Sequence, residues 1–139
     1  MSSGKPGVVI LDTNALVFDA LDPARLTGRA RRLIERAHTR RDLYCCDISL
    51  WEIAMLVAKR RLDPGVGALE FLRLAVAARA LTVLPITPEI ADLSVAMPDA
   101  VGADPADRLI AATAIHHRAT LVTTDTRLKK ATLPVLVVG

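Results

Sequence analysis

An α/β fold, with a parallel sheet covered by helices on both faces, is the class predicted by three observations. Short apolar runs rich in Val, Ile and Leu alternate with longer stretches of helical periodicity. Several of those stretches open on a capping residue, and one run of strand is too uniformly apolar to face water on either side. Hydrophobic residues make up 52% of the 139-residue chain, enough for a sheet buried twice over.

The elements follow in order. Val8-Val9-Ile10-Leu11 is a continuous β-branched run of the kind a central strand needs, and it stops at Asp12-Thr13-Asn14. A helix is expected over 15–21. Thr27 then caps a basic helix reaching about residue 39, with Leu33, Ile34 and Ala37 turned inward. Residues 43–48 form the second strand. Ser49 is expected to cap a helix through Ala58, whose end meets Lys59-Arg60-Arg61, charges suited to a helix C-terminus. Pro64 precedes a helix over 66–80, weakened early by Gly65 and Gly67. The third strand spans 81–86. Thr87-Pro88-Glu89 combines a cap, a first-turn proline and an acid to start a helix to about 96, and Asp104-Pro105 opens another to 117. A fourth strand over 120–124, a short helix over 126–131 and a fifth strand over 135–138 complete the chain. Strands separated by helices require right-handed crossovers. The expected organisation is a flexible leader over 1–7 and one domain over 8–139.

Composition narrows the function. Aromatics are only 3%, so no platform exists for stacking single-stranded bases. The net charge of +3 is concentrated in Arg25, Arg29, Arg31, Arg32, Arg36, Arg40 and Arg41, set against the single acid Glu35. This stretch is either a solvated helix face or a ridge facing phosphates, with Arg29, Arg32, Arg36 and Arg40 as its contacts. Cys45 and Cys46 are adjacent, so in a strand they point to opposite faces and cannot bridge. Buried free thiols suit a reducing cytoplasm. No apolar run is long enough for a membrane span or a signal-peptide core. Zinc-ligand spacing, a Gly-rich phosphate loop and a nucleophile elbow are all missing from the sequence.

Four carboxylates stand out: Asp12, Glu52, Asp107 and Asp125. Asp12 and Asp125 directly follow the first and fourth strands, and ligand sites of open parallel sheets lie beyond the strands' carboxyl ends. Glu52 and Asp107 are expected in the first turns of helices that begin at that end. Each has a structural alternative. Asp12 and Asp125 also suit N-caps, Ser49 and Glu52 fit a capping box, and Asp107 gains from a helix dipole. Their co-occurrence in apolar surroundings favours a common site. Carboxylates gathered without matching cations repel one another, and the usual relief is a divalent ion; oxygen ligands select Mg²⁺ or Mn²⁺ over zinc. Thr13, Asn14 and Thr123 are small polar neighbours able to orient carboxylates or waters. His116 and His117, about 100° apart on a helix end, cannot face one site together.

The blocks that carry these residues resemble the PIN domain, and more narrowly the VapC toxin ribonucleases of type II toxin–antitoxin pairs. They are Asp12-Thr13-Asn14-Ala15-Leu16, Ile48-Ser49-Leu50-Trp51-Glu52-Ile53-Ala54, Asp104-Pro105-Ala106-Asp107-Arg108-Leu109-Ile110-Ala111-Ala112-Thr113-Ala114 and Leu121-Val122-Thr123-Thr124-Asp125. The resemblance implies a three-layer sandwich around a five-stranded parallel sheet in order 3-2-1-4-5. It further implies a Mg²⁺- or Mn²⁺-dependent endoribonuclease that cleaves RNA with metal-activated water, and a homodimer neutralised by a small antitoxin. The four acids map onto Asp12, Glu52, Asp107 and Asp125, with Thr123 in support. Asn14 stands where relatives with the Trp-Glu-Ile motif often carry His. Two alternatives share the fold: a non-catalytic RNA- or protein-binding module, and a structure-selective nuclease outside toxin–antitoxin systems. A phosphatase using Asp12 as nucleophile would want a second acid where Asn14 stands.

Overall fold

A computed structural model of the protein describes residues 7–139. The leader expected over 1–7 therefore lies outside the described residues, apart from Gly7. Five strands, β1 (Val9–Leu11), β2 (Leu43–Cys46), β3 (Thr82–Leu84), β4 (Thr120–Val122) and β5 (Val137–Val138), form one sheet in order β3-β2-β1-β4-β5. Every pairing is parallel, with Leu11 opposite Cys45 on one side and Val122 on the other. The expected α/β class and strand order are both observed.

Alternation along the strands divides the core. Val9, Leu11, Leu43, Cys45 and Val122 pack beneath α1 (Thr13–Leu21), α2 (Gly28–Arg40), α3 (Asp47–Ala58) and α4 (Ala68–Ala78). Ile10, Cys46 and Leu121 face the opposite layer, built from α5 (Pro88–Val95), α6 (Pro105–His117) and α7 (Thr126–Lys130). The two cysteines thus fall into different cores, as their adjacency in a strand requires. Burial pushes both thiols up to about 12, which leaves them inert hydrophobes at neutral pH.

Caps fix the helix starts where expected at Thr27, Thr87 and Asp104, whose side chains accept from backbone N–H groups of the first turn. The start of α3 differs. β2 ends at Cys46 rather than residue 48, and the helix begins at Asp47. Asp47 Oδ2 instead accepts from the Ile86 N–H, tying the β2–α3 turn to the segment after β3. Ser49 is consequently the third residue of α3 and no cap, and Glu52 falls in its second turn, so the capping box does not form. The outer strands are shorter than expected. Pro85, which cannot donate to a ladder, follows β3, and only two residues of β5 pair.

The segment leading into α6 is held by one side chain. The Arg108 guanidinium donates to the carbonyls of Ser94, Val95, Met97 and Gly102, joining the end of α5 to the turn before Asp104. This fixes where α6 begins, and hence where its acidic first turn lies.

Candidate active site

All four acids lie at the carboxyl end of the sheet. Asp12 is the residue after β1; its backbone N–H donates to Val122 O (3.0 Å), which holds it beside the end of β4. Its side chain is 4% exposed. Oδ1 caps α1 by accepting from the Ala15 N–H at 2.7 Å, and Oδ2 accepts from the Thr123 hydroxyl. Thr123 in turn accepts from the Asp125 N–H (3.0 Å), so one fully buried threonine links the two aspartates. Asp125 caps α7 through Arg127 N. Both capping readings therefore hold, yet each cap leaves the carboxylate with unused lone pairs.

Glu52 reaches the same region from α3. Its carboxylate accepts from the Thr13 hydroxyl, which lies 2.9 Å from the buried Ser49 Oγ. Ser49 precedes Glu52 by three residues and so shares its helix face. That spacing was the signal for its true place: a support for the acid's partner, not a cap. Asp107, on the first turn of α6, is half-buried, with Asp104 one turn before it. Asn14 is exposed on the first turn of α1.

The acids are near enough for their charges to act on one another. Burial pushes the Asp12 carboxyl up to about 6; the Thr123 and Ala15 hydrogen bonds pull it down, and the charges of Asp125 and Glu52 raise it again. Asp107 stands at about 7, chiefly through burial, then through the charges of Asp104, Asp125, Glu52 and Asp12. Glu52 is also raised, by burial and by Asp104, against the hydrogen bond from Thr13. Asp104 is thus a fifth charge in the field, overlooked in the sequence because its capping role explained it completely.

Does this set suit a cation? The donors are carboxylate and hydroxyl oxygens, a hard set. Among the described residues, no three His, Cys, Asp or Glu side chains stand close enough to grip an ion as they are. The acids lie near enough to act on one another's charge without closing on a point. A divalent ion would relieve their mutual repulsion and the raised pKa values together, so the residues fit one.

The basic face of α2 lies apart. Its N-terminal end is on the site's side of the sheet, since Thr27 N donates to Gly139 O just beyond β5. Arg29, Arg32 and Arg36 are exposed. Arg40 is engaged at the opposite, amino end of the sheet, donating to Gly7 O (3.0 Å) and pairing with Asp42 at 3.4 Å. Glu35 turns to Arg79 (2.8 Å), which lowers its pKa, and Arg79 also makes a two-bonded pair with Asp19.

Residues 9–133 match the family model of the PIN domain. The chain is 37% identical over 121 residues to ribonuclease VapC22 of Mycobacterium tuberculosis (strain ATCC 25618 / H37Rv), covering 87% of this chain and 89% of that protein. Its fold is similar to a chain of VapBC2 from Rickettsia felis, solved bound to a promoter DNA fragment (TM-score 0.69, 18% identity, 93% of this chain and 96% of that one). It is similar likewise to a chain of DNA-bound VapBC from Salmonella typhimurium (TM-score 0.67, 16% identity, 93% and 95% covered).

Proposed function

Since this chain belongs to the PIN-domain family, we propose that it is a metal-dependent endoribonuclease of the VapC kind and the toxin of a type II toxin–antitoxin pair. The observation that carries the reading is the shared field of Asp12, Glu52, Asp107 and Asp125, with Asp12 buried and Asp107 raised to about 7. Those four acids would hold Mg²⁺ or Mn²⁺, and an ion bound there would supply a nucleophilic water and charge neutralisation for phosphodiester hydrolysis.

The chain's own residues prepare that chemistry. Thr123 fixes one oxygen of Asp12 and the Ala15 N–H the other, so the buried carboxylate is set in one orientation. Thr13 does the same for Glu52. Orienting hydroxyls of this kind spare the site a reorganisation when the ion and substrate arrive. No side chain need form a covalent intermediate.

Ribonuclease VapC22 is similar enough to lend its activity class to this proposal, and the solved VapBC relatives lend the partner. The chain pairs with itself and with a small antitoxin whose Arg or Lys enters the acidic field. Trp51, Leu69, Leu74 and Val95 are large apolar side chains left exposed, as a chain that assembles would leave them. Residues 8–139 act as the single domain, in the cytoplasm. No helix of the described chain is long and apolar enough to cross a membrane.

The test is cleavage of RNA by the purified chain. Activity is expected with Mg²⁺ or Mn²⁺ and none with excess EDTA. Undiminished cleavage in EDTA by protein free of other nucleases would end the metal reading.

The α2 ridge makes a separate expectation. Replacing Arg29, Arg32 and Arg36 with Gln is expected to flatten the salt dependence of RNA binding by about 0.7 in log–log slope for each phosphate no longer neutralised. Arg40→Gln should change that slope little, because Arg40 is held at the far end of the sheet. An unchanged slope in the triple variant returns α2 to a solvated face.

A further inference from the structure

Arg127, on α7, lies between Asp125 and the turn that leads into α6. Its Nε lies 3.9 Å from Asp125 Oδ1, a separation that is electrostatic and too long for a hydrogen bond. The side chain is 62% exposed. On its other side it lies against Gly102, in the turn that leads to Asp104 and Asp107. A Cβ built on Gly102 would meet Arg127 Nη1 at 3.0 Å, and Gly102 also has φ +94°, a conformation open to glycine. The same glycine offers its carbonyl to Arg108 Nη1 at 2.8 Å. The turn is therefore met by two arginines, Arg108 at the Gly102 carbonyl and Arg127 at its Cα.

We propose that Arg127 is the phosphate-contacting side chain of this active site, holding the substrate's phosphodiester at the rim of the acidic field. The inference rests on the nuclease reading above. A polyanion approaching five carboxylates meets repulsion wherever an ion does not cover them, and a guanidinium fork matches two phosphate oxygens at once. Asp125 keeps the guanidinium at the rim without using its donors in a hydrogen bond to itself.

The experiment compares steady-state cleavage of a short single-stranded RNA in Mg²⁺ by the wild type, Arg127→Gln and Arg127→Lys, with Mn²⁺ affinity of each read by electron paramagnetic resonance. Removing a hold on the phosphate that acts in the ground state should raise KM about tenfold and leave kcat within about twofold. Lys, which keeps the charge but not the fork, should fall between. Mn²⁺ affinity should stay within about twofold of wild type. An unchanged KM in Arg127→Gln overturns the proposal, and so does a rise in KM matched by an equal loss of Mn²⁺ affinity, which would make Arg127 a support for Asp125 only. Wild-type protein that cleaves no RNA removes the nuclease reading and this inference with it, whereas an active wild type with an indifferent Arg127→Gln removes the inference alone.

Discussion

Asp107→Asn is expected to lower RNA cleavage by roughly a thousandfold, the loss of several kcal/mol of charge stabilisation at a metal site, while the metal-free variant melts a few degrees above wild type. The neighbouring Asp104→Asn should keep most of the activity. Asp107 is half-buried and surrounded by the charges of Asp104, Asp125, Glu52 and Asp12, so its ionised form is a strain on the fold. A neutral amide of the same shape removes that strain and the ligand charge together; gain of stability with loss of function is the usual signature of such a site. Asp104 already spends one oxygen on the Ala106 and Asp107 N–H groups, and Asn caps almost as well as Asp. Asp104→Asn should keep activity within about fivefold, since it subtracts one charge from the field without removing a proposed ligand. Activity assays and melting curves on the pair decide the assignment. An inactive Asp104→Asn beside an active Asp107→Asn would mean that the wrong aspartate is the ligand.

Which parts of this were legible in the residues follows from where the controlling forces act. The alternation of strands and helices and the caps at Thr27, Thr87 and Asp104 rest on local signals, whereas the strand order was implied by the resemblance to the PIN domain, and the structure follows both. The start of α3 did not rest on local signals. Ser49 suits a cap by residue type, but the helix begins at Asp47, three residues before the start a Ser49 cap would give, and Asp47 accepts from the Ile86 N–H just beyond the neighbouring strand β3. That shift moves Glu52 into the second turn and brings it to Thr13. Arg40 looked like its neighbours on the α2 stripe. Only the fold reveals that Gly7 and Asp42 occupy it at the amino end of the sheet. Arg127 carried no signal at all, because its meaning depends on Gly102, 25 residues away in sequence.

The central claim is that the four acids form one divalent-cation site, and it has a thermodynamic consequence beyond activity. The metal-free folded chain holds the Asp12 and Asp107 carboxyls at about 6 and about 7, above their ordinary 3.8. Between roughly pH 4 and 7 the native state therefore binds more protons than the unfolded chain. Stability must fall as pH rises through that window and level off above it. For the buried Asp12 this amounts to on the order of 3 kcal/mol. A bound ion reverses the sign by favouring the ionised acids, so binding must expel protons and stabilise the fold, by about 2.7 kcal/mol at a hundredfold excess over Kd.

Calorimetric titration of the metal-free chain with Mn²⁺ at pH 6.5, repeated in two buffers of different ionisation enthalpy, reads binding and proton release, and melting curves of the metal-free and loaded protein read the stabilisation. Saturable binding with proton release is expected, together with a melting temperature several degrees higher in the loaded protein and loss of all three in an Asp12→Asn, Asp107→Asn double variant. Absence of saturable binding, or binding of equal strength in the double variant, would contradict the assignment of these carboxylates to a metal site.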